Sequence, residues 1–229
     1  NNLILELFNK ECIKTGTFTL KTGAISPIYV DLKNIISYPY LLNTISRLIW
    51  NKIKDIEFDN ICGVPYGAIP ISSIISSEHN IPLLMIRKER KKYGTNKQIE
   101  GLYKNNCKCI LIEDVITTGS SLVTMTNILK KHNINVVHII VVCDRRSYSV
   151  SNLLGSYSLS SLFTIYDVLN CLKDNSKIDY NTYNSIKEYI NKHDNKNFSF
   201  EARRTLTTNT LTKKILTLME SKKTNLCFS

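Results

Sequence analysis

The spacing of apolar positions changes along this chain, and the changes mark out its elements. Over residues 2–14, Leu3, Leu7 and Phe8 fall on one side of a helix, which predicts a helix ended by Gly16. Residues 18–31 read as two short strands around a glycine turn, a β-hairpin placed before the main pattern. Residues 40–53 carry Leu41, Ile45, Leu48, Ile49 and Ile53 on one helical face. Short, almost continuous apolar runs then begin at residues 60, 82, 109 and 135, too brief for helices and rich in Ile and Val. Helical patterns at 71–79 and 122–131 lie between them, and 162–172 and 180–191 read as closing helices. Strands apolar on both sides, alternating with helices, predict an α/β fold: a parallel sheet flanked by helices, with a small N-terminal hood.

The run at 109–121, CILIEDVITTGSS, concentrates the chemistry. A buried strand stops at Glu113 and Asp114, and Val115 and Ile116 lead to a turn of Thr117, Thr118, Gly119, Ser120 and Ser121. Backbone N–H groups and the dipole of the following helix favour an anion there, glycine permits close approach, and hydroxyls add donors. Carboxylates at the carboxyl edge of a sheet would repel phosphate; they suit sugar hydroxyls or hydrated Mg²⁺. No Gly-Lys-Ser/Thr of the Walker loop is present. A second strand-to-helix turn, Pro65-Tyr66-Gly67, could receive another phosphate group at the same edge.

Charge narrows the partners. The 229 residues carry a formal net charge of +11, which favours nucleic acid, an anionic surface or a polyanionic substrate. Residues 87–97 alone (RKERKKYGTNK) hold six Lys or Arg against one Glu and too little apolar surface to pack. That run reads as a solvated loop, a nucleic-acid patch, or a lid that closes on a polyanion. The basic residues lack the interleaved aromatics of RNA-binding surfaces, so no nucleic-acid partner is expected. Seven cysteines have no zinc-site spacing and read as reduced thiols, and the four histidines share no motif. With no signal peptide and no long apolar span, a cytoplasmic protein with no membrane partner is expected.

The 113–121 segment resembles the phosphoribosyl pyrophosphate (PRPP) motif of type I phosphoribosyltransferases, in which the acids bind the ribose hydroxyls and the turn cradles the 5′-phosphate. FTLKTG at 18–23, followed by Ser26-Pro27 and Tyr29, resembles the hood of orotate phosphoribosyltransferases. RKERKKYG at 87–94 is similar to that family's catalytic loop, and Asp144-Arg145 to its orotate-binding pair. The resemblance implies that Lys21, Tyr66, Gly67, Arg87, Lys88, Lys91 and Tyr93 meet PRPP together with residues 113–121. It implies that Lys21, Tyr29, Val30, Thr117 and Arg145 meet orotate, with Lys88, Lys91 and Asp114 closest to the chemistry. Mg²⁺ would be held mainly by PRPP and water, with no direct protein ligand, and a homodimer would place the basic loop across its interface.

Beyond a polar break at 194–197, the last residues, KTNLCFS at 223–229, carry an Asn225-Leu226-Cys227 similar to the start of the decarboxylase barrel in bifunctional uridine monophosphate synthases. The expected organisation is a phosphoribosyltransferase domain over 1–193, then a linker and the first piece of a barrel over 194–229, fused to a decarboxylase domain in the full-length protein. A PRPP-sensing regulator that binds nucleic acid, or a phosphoribosyltransferase for another base, are the competing readings.

Overall fold

In the computed structural model the described residues are 2–20, 23, 25–87, 97–146 and 157–193. The chain opens with α1 (Asn2–Asn9), then a hairpin of β1 (Ile13–Thr19) and β2 (Ile25–Val30), a 3-10 turn (Leu32–Ser37) and α2 (Pro39–Ile53). The body follows as β3 (Asn60–Gly63), α3 (Ile69–His79), β4 (Leu83–Ile86), β5 (Ile99–Glu100), β6 (Lys108–Ile116), α4 (Ser120–Lys131) and β7 (Asn135–Asp144). It closes with β8 (Leu159–Thr164), α5 (Ile165–Asp174) and α6 (Tyr180–His193). Six strands make one sheet in the order β5-β4-β3-β6-β7-β8, parallel throughout except for the β4–β5 pair.

The apolar runs of β6 and β7 are continuous because both faces are covered. Successive side chains point to opposite sides of a strand. Ile110, Ile112, Ile140 and Val142 pack in one layer with Ile45 and Ile49 of α2, Ile71 and Ile75 of α3 and Leu169 of α5. Cys109, Leu111, Ile139 and Val141 pack in the other with Leu122, Met125 and Leu129 of α4. Ile13, Ile28 and Val30 of the hairpin join the first layer, so the hood is seated on the sheet domain.

Three elements differ from the sequence reading. The first helix stops at Asn9, because Ile13 and Lys14 pair with Val30 and Tyr29; Gly16 lies inside β1, where the register shifts. β6 does not end at Glu113 and Asp114 but runs through them to Ile116. Residues 162–164 are strand, not helix: Phe163 and Thr164 pair with Cys143 and Asp144 of β7. The last helix pair begins only after Thr164, whose hydroxyl accepts the Asp167 amide while the Asp167 carboxylate accepts the Thr164 amide, a reciprocal cap.

The sheet reverses direction of growth at its centre. From β3 the chain moves outward through β4 to β5; from β6 it moves the other way through β7 to β8. The crevice between the carboxyl ends of β3 and β6 is the place where such sheets receive ligands.

Candidate active site

Parallel pairing of Gly63 with Ile112 brings the turn after β3 beside the acids of β6, and the Val64 amide donates to the Ile112 carbonyl at 2.8 Å. Glu113 and Asp114 are 5% and 8% exposed. Burial pushes the Glu113 carboxyl well above the ordinary carboxylate range, and the adjoining Asp114 carboxylate adds to the shift. The Asp114 amide donates to Glu113 Oε1 at 3.3 Å and works the other way, as does the Ser121 hydroxyl. Gly67 faces this pair directly. A Cβ at position 67 would collide with the Asp114 carboxylate as it stands, so glycine lets the turn after β3 lie close against this side chain of β6. The Pro65–Tyr66 peptide bond in this turn is cis, and the Tyr66 ring is exposed.

Beyond β6 the chain turns through Thr117 and Thr118 to Gly119, which takes φ +74° and precedes α4. Ser120 donates its amide to Thr118 Oγ1 at 3.4 Å, and the Thr118 hydroxyl donates to Ser120 Oγ at 3.1 Å. No side chain of Gly119 can cap the helix, which leaves first-turn N–H groups available to an anion. Ile116 is buried in one core layer and can offer a ligand only its backbone, while Val115 is partly buried against the other layer. Val30 is likewise turned into the core, while Tyr29 is exposed and stacks on Phe18 at 5.5 Å between centroids.

The end of β7 separates two neighbouring arginines. Arg146 is committed to Asp144, with Nε at 2.9 Å and 3.1 Å from its two oxygens and Nη2 at 2.6 Å. The Arg145 amide donates to the Ile116 carbonyl at 2.9 Å, which holds this residue beside the end of β6. Its Nε is buried and has no hydrogen-bond partner among the described residues. An anion reaching that nitrogen would remove a costly unsatisfied donor. Arg87 donates from Nε to Glu100 Oε1 at 2.6 Å across β4 and β5. Lys21, Lys88, Lys91 and Tyr93 lie outside the described residues, as do Ser147 and the tail beyond residue 193.

Two further residues join the site that no motif singles out. Asp31, just after β2, accepts the Lys33 amide at 3.1 Å and the Lys33 ammonium at 3.0 Å. The same ammonium lies 4.0 Å from Asp114 Oδ2. Burial works against its charge, but the Asp31 and Asp114 carboxylates outweigh that and raise its pKa. An Asp-x-Lys at the mouth of a turn is the only local signal, and helix caps share it.

Elsewhere, the six described cysteines are buried and unpaired with one another, and burial pushes Cys62 and Cys143 up to about 12, which makes them poor nucleophiles. Among the described residues no group of three or more His, Cys, Asp or Glu could hold a metal ion. No described helix is long and apolar enough to cross a membrane. A cavity of about 490 Å³ near Asp59, Asn60, Tyr103 and Cys107 opens at the amino edge of the sheet, away from these groups.

Comparison with known proteins agrees with this geometry. The phosphoribosyl transferase domain family matches residues 31–162. The chain is 36% identical to uridine 5′-monophosphate synthase of Bos taurus, over all of this chain and 52% of that protein. It is 41% identical to orotate phosphoribosyltransferase of Pyrococcus horikoshii, over 67% of this chain and 83% of that one. The solved UMP synthase of Leishmania donovani matches with a TM-score of 0.74 and 30% identity, over 83% of this chain and 42% of that structure. The chain spans about half the length of the synthases that it matches.

Proposed function

Since the chain belongs to the phosphoribosyl transferase domain family, with orotate phosphoribosyltransferases among its relatives, we propose that it transfers the phosphoribosyl group of PRPP to orotate. The products are orotidine 5′-monophosphate and pyrophosphate, a step of pyrimidine nucleotide synthesis. Arg145, whose buried Nε has no hydrogen-bond partner among the described residues, carries the choice of base in this reading, because orotate differs from uracil by a carboxylate that a guanidinium can bind. Glu113 and Asp114 take the ribose hydroxyls, and the Thr117–Ser121 turn takes the 5′-phosphate, so the reacting carbon is held in line with the base.

As pyrophosphate leaves, positive charge grows on the ribose and negative charge on the leaving group. Lys88 and Lys91 stabilise the latter, with Lys21, Arg87, Tyr93 and the Tyr66–Gly67 backbone contributing to the pyrophosphate end. Backbone groups of Tyr29 and Val30 hold the pyrimidine. The Asp114 carboxylate is a hard oxygen donor suited to the water shell of a Mg²⁺ that would arrive with PRPP and be held mainly by its oxygens and by water. That metal would neutralise pyrophosphate charge. A cytoplasmic homodimer whose basic loop serves the neighbouring site, and a linker and barrel start over 194–229 that lead to a decarboxylase domain in the full-length protein, complete this reading.

The test is loss of orotate absorbance with PRPP and Mg²⁺, run beside uracil, adenine and hypoxanthine. Orotate alone should react, and Arg145→Ala should raise its KM about 10- to 100-fold. Turnover of a different base would overturn the assignment of Arg145. Lys91→Ala, if folded and as fast as the parent, would remove the loop from the mechanism.

A further inference from the structure

Lys33 occupies a place that folding alone does not explain. Its side chain is 59% exposed, and ion pairs so open to water add little to stability. Yet its ammonium stands between two carboxylates that belong to different parts of the site. One is Asp31, which directly follows the strand β2 and whose amide is tied to the Cys12 carbonyl at 2.8 Å. The other is Asp114, on the central strand, against the Gly67 backbone. The backbone of residue 33 is fixed as well, since its amide is on Asp31 Oδ1 and it lies in the 3-10 turn that Asp31 caps.

This arrangement matters for an anionic substrate. Asp114 puts a carboxylate beside a turn that receives phosphate, and unbalanced negative charge there would repel PRPP. Gly67 has no side chain with which to confine the Asp114 carboxylate, so Lys33 is the cationic group that the described residues place against it. We infer that Lys33, held by Asp31, is a positioning residue that aims the Asp114 carboxylate at the ribose of PRPP and ties it to the base-holding strand. This rests on the PRPP reading given above, and Lys33 itself need touch neither substrate.

Calorimetric titration of PRPP with Mg²⁺ into the full chain tests this without requiring turnover. Lys33→Met should weaken PRPP about 10-fold, leave the KM for orotate within about twofold, and melt as the parent does. Lys33→Arg should restore most of the affinity, because it keeps the charge. Asp31→Asn should give a smaller loss in the same direction, since it frees the lysine without removing it. PRPP binding equal to the parent in folded Lys33→Met overturns the proposal, and so does Lys33→Arg as weak as Lys33→Met. If Lys33→Met fails to fold, Lys33→Arg and Asp31→Asn decide: parental affinity in Asp31→Asn, or no recovery in Lys33→Arg, overturns it. A parent chain that binds no PRPP would instead overturn the functional reading beneath it.

Discussion

At position 67 a single methyl group separates a working site from an obstructed one. Gly67→Ala would drive a Cβ into the Asp114 carboxylate, which would have to turn away. Misplacement of a ribose-holding group by about 1 Å should lower kcat/KM for PRPP by about 100-fold, measured with the fold checked by circular dichroism. Glu113 offers a second test at the same scale. Its carboxyl titrates near 4.5 when unfolded and higher when folded, through burial and the neighbouring Asp114. The folded state therefore keeps a proton that the unfolded state releases, and stability is lost as pH rises from 4.5 through the folded value. Glu113→Gln does not titrate, so its stability relative to the parent should grow between pH 5 and pH 8, by on the order of 1 kcal/mol. Urea midpoints at the two pH values measure this; an equal difference at both would refute the buried protonated acid.

The β7–β8 pair shows how an element absorbs a titratable group. His138 is buried between two hydroxyls, one just before β8 and one within it, Nδ1 at 3.0 Å from Ser158 Oγ and Nε2 at 2.8 Å from Ser160 Oγ. Burial lowers its pKa below 6.5, so the unfolded chain takes up a proton that the folded chain refuses. This contribution to stability is present above pH 6.5 and is lost as pH falls through 6.5 towards the folded value. The gap in urea midpoint between His138→Gln and the parent should therefore shift in the variant's favour from pH 7.5 to pH 5.5. From its sequence neighbours His138 is one more histidine in an apolar run. Its hydroxyl partners stand 20 and 22 residues away, on a strand whose short polar stretch gave no clear periodic signal.

Across the whole molecule, α6 shares a core with the first helix. Ile186 and Ile190 of α6 sit in the same core layer as Ile4 and Leu7 of α1, which joins the two ends of the described chain. A chain ended after His193 should melt within about 4 °C of the 229-residue chain and keep its orotate turnover. Scanning calorimetry checks the first and the absorbance assay the second; a large loss of either would place part of the domain beyond residue 193. The formal charge of +11 acts at this scale too, drawing a polyanion towards the site in a manner that added salt screens.

The sequence by itself determined the layered α/β architecture and the strand–turn–helix at 113–121. Both follow from patterns local to the chain: apolar periodicity and a turn of small hydroxylic residues after paired acids; that the strand runs past those acids to Ile116 was not among them. Only the tertiary structure decided that residue 67 lies against the Asp114 carboxylate, that Arg146 is spent on Asp144 while the Nε of Arg145 has no partner among the described residues, and that Lys33 comes within 4.0 Å of Asp114. Those facts depend on which loops meet at the crevice between β3 and β6. Contact between residues 47 or 81 positions apart is set by sheet order and burial, which leave no periodic trace in the chain.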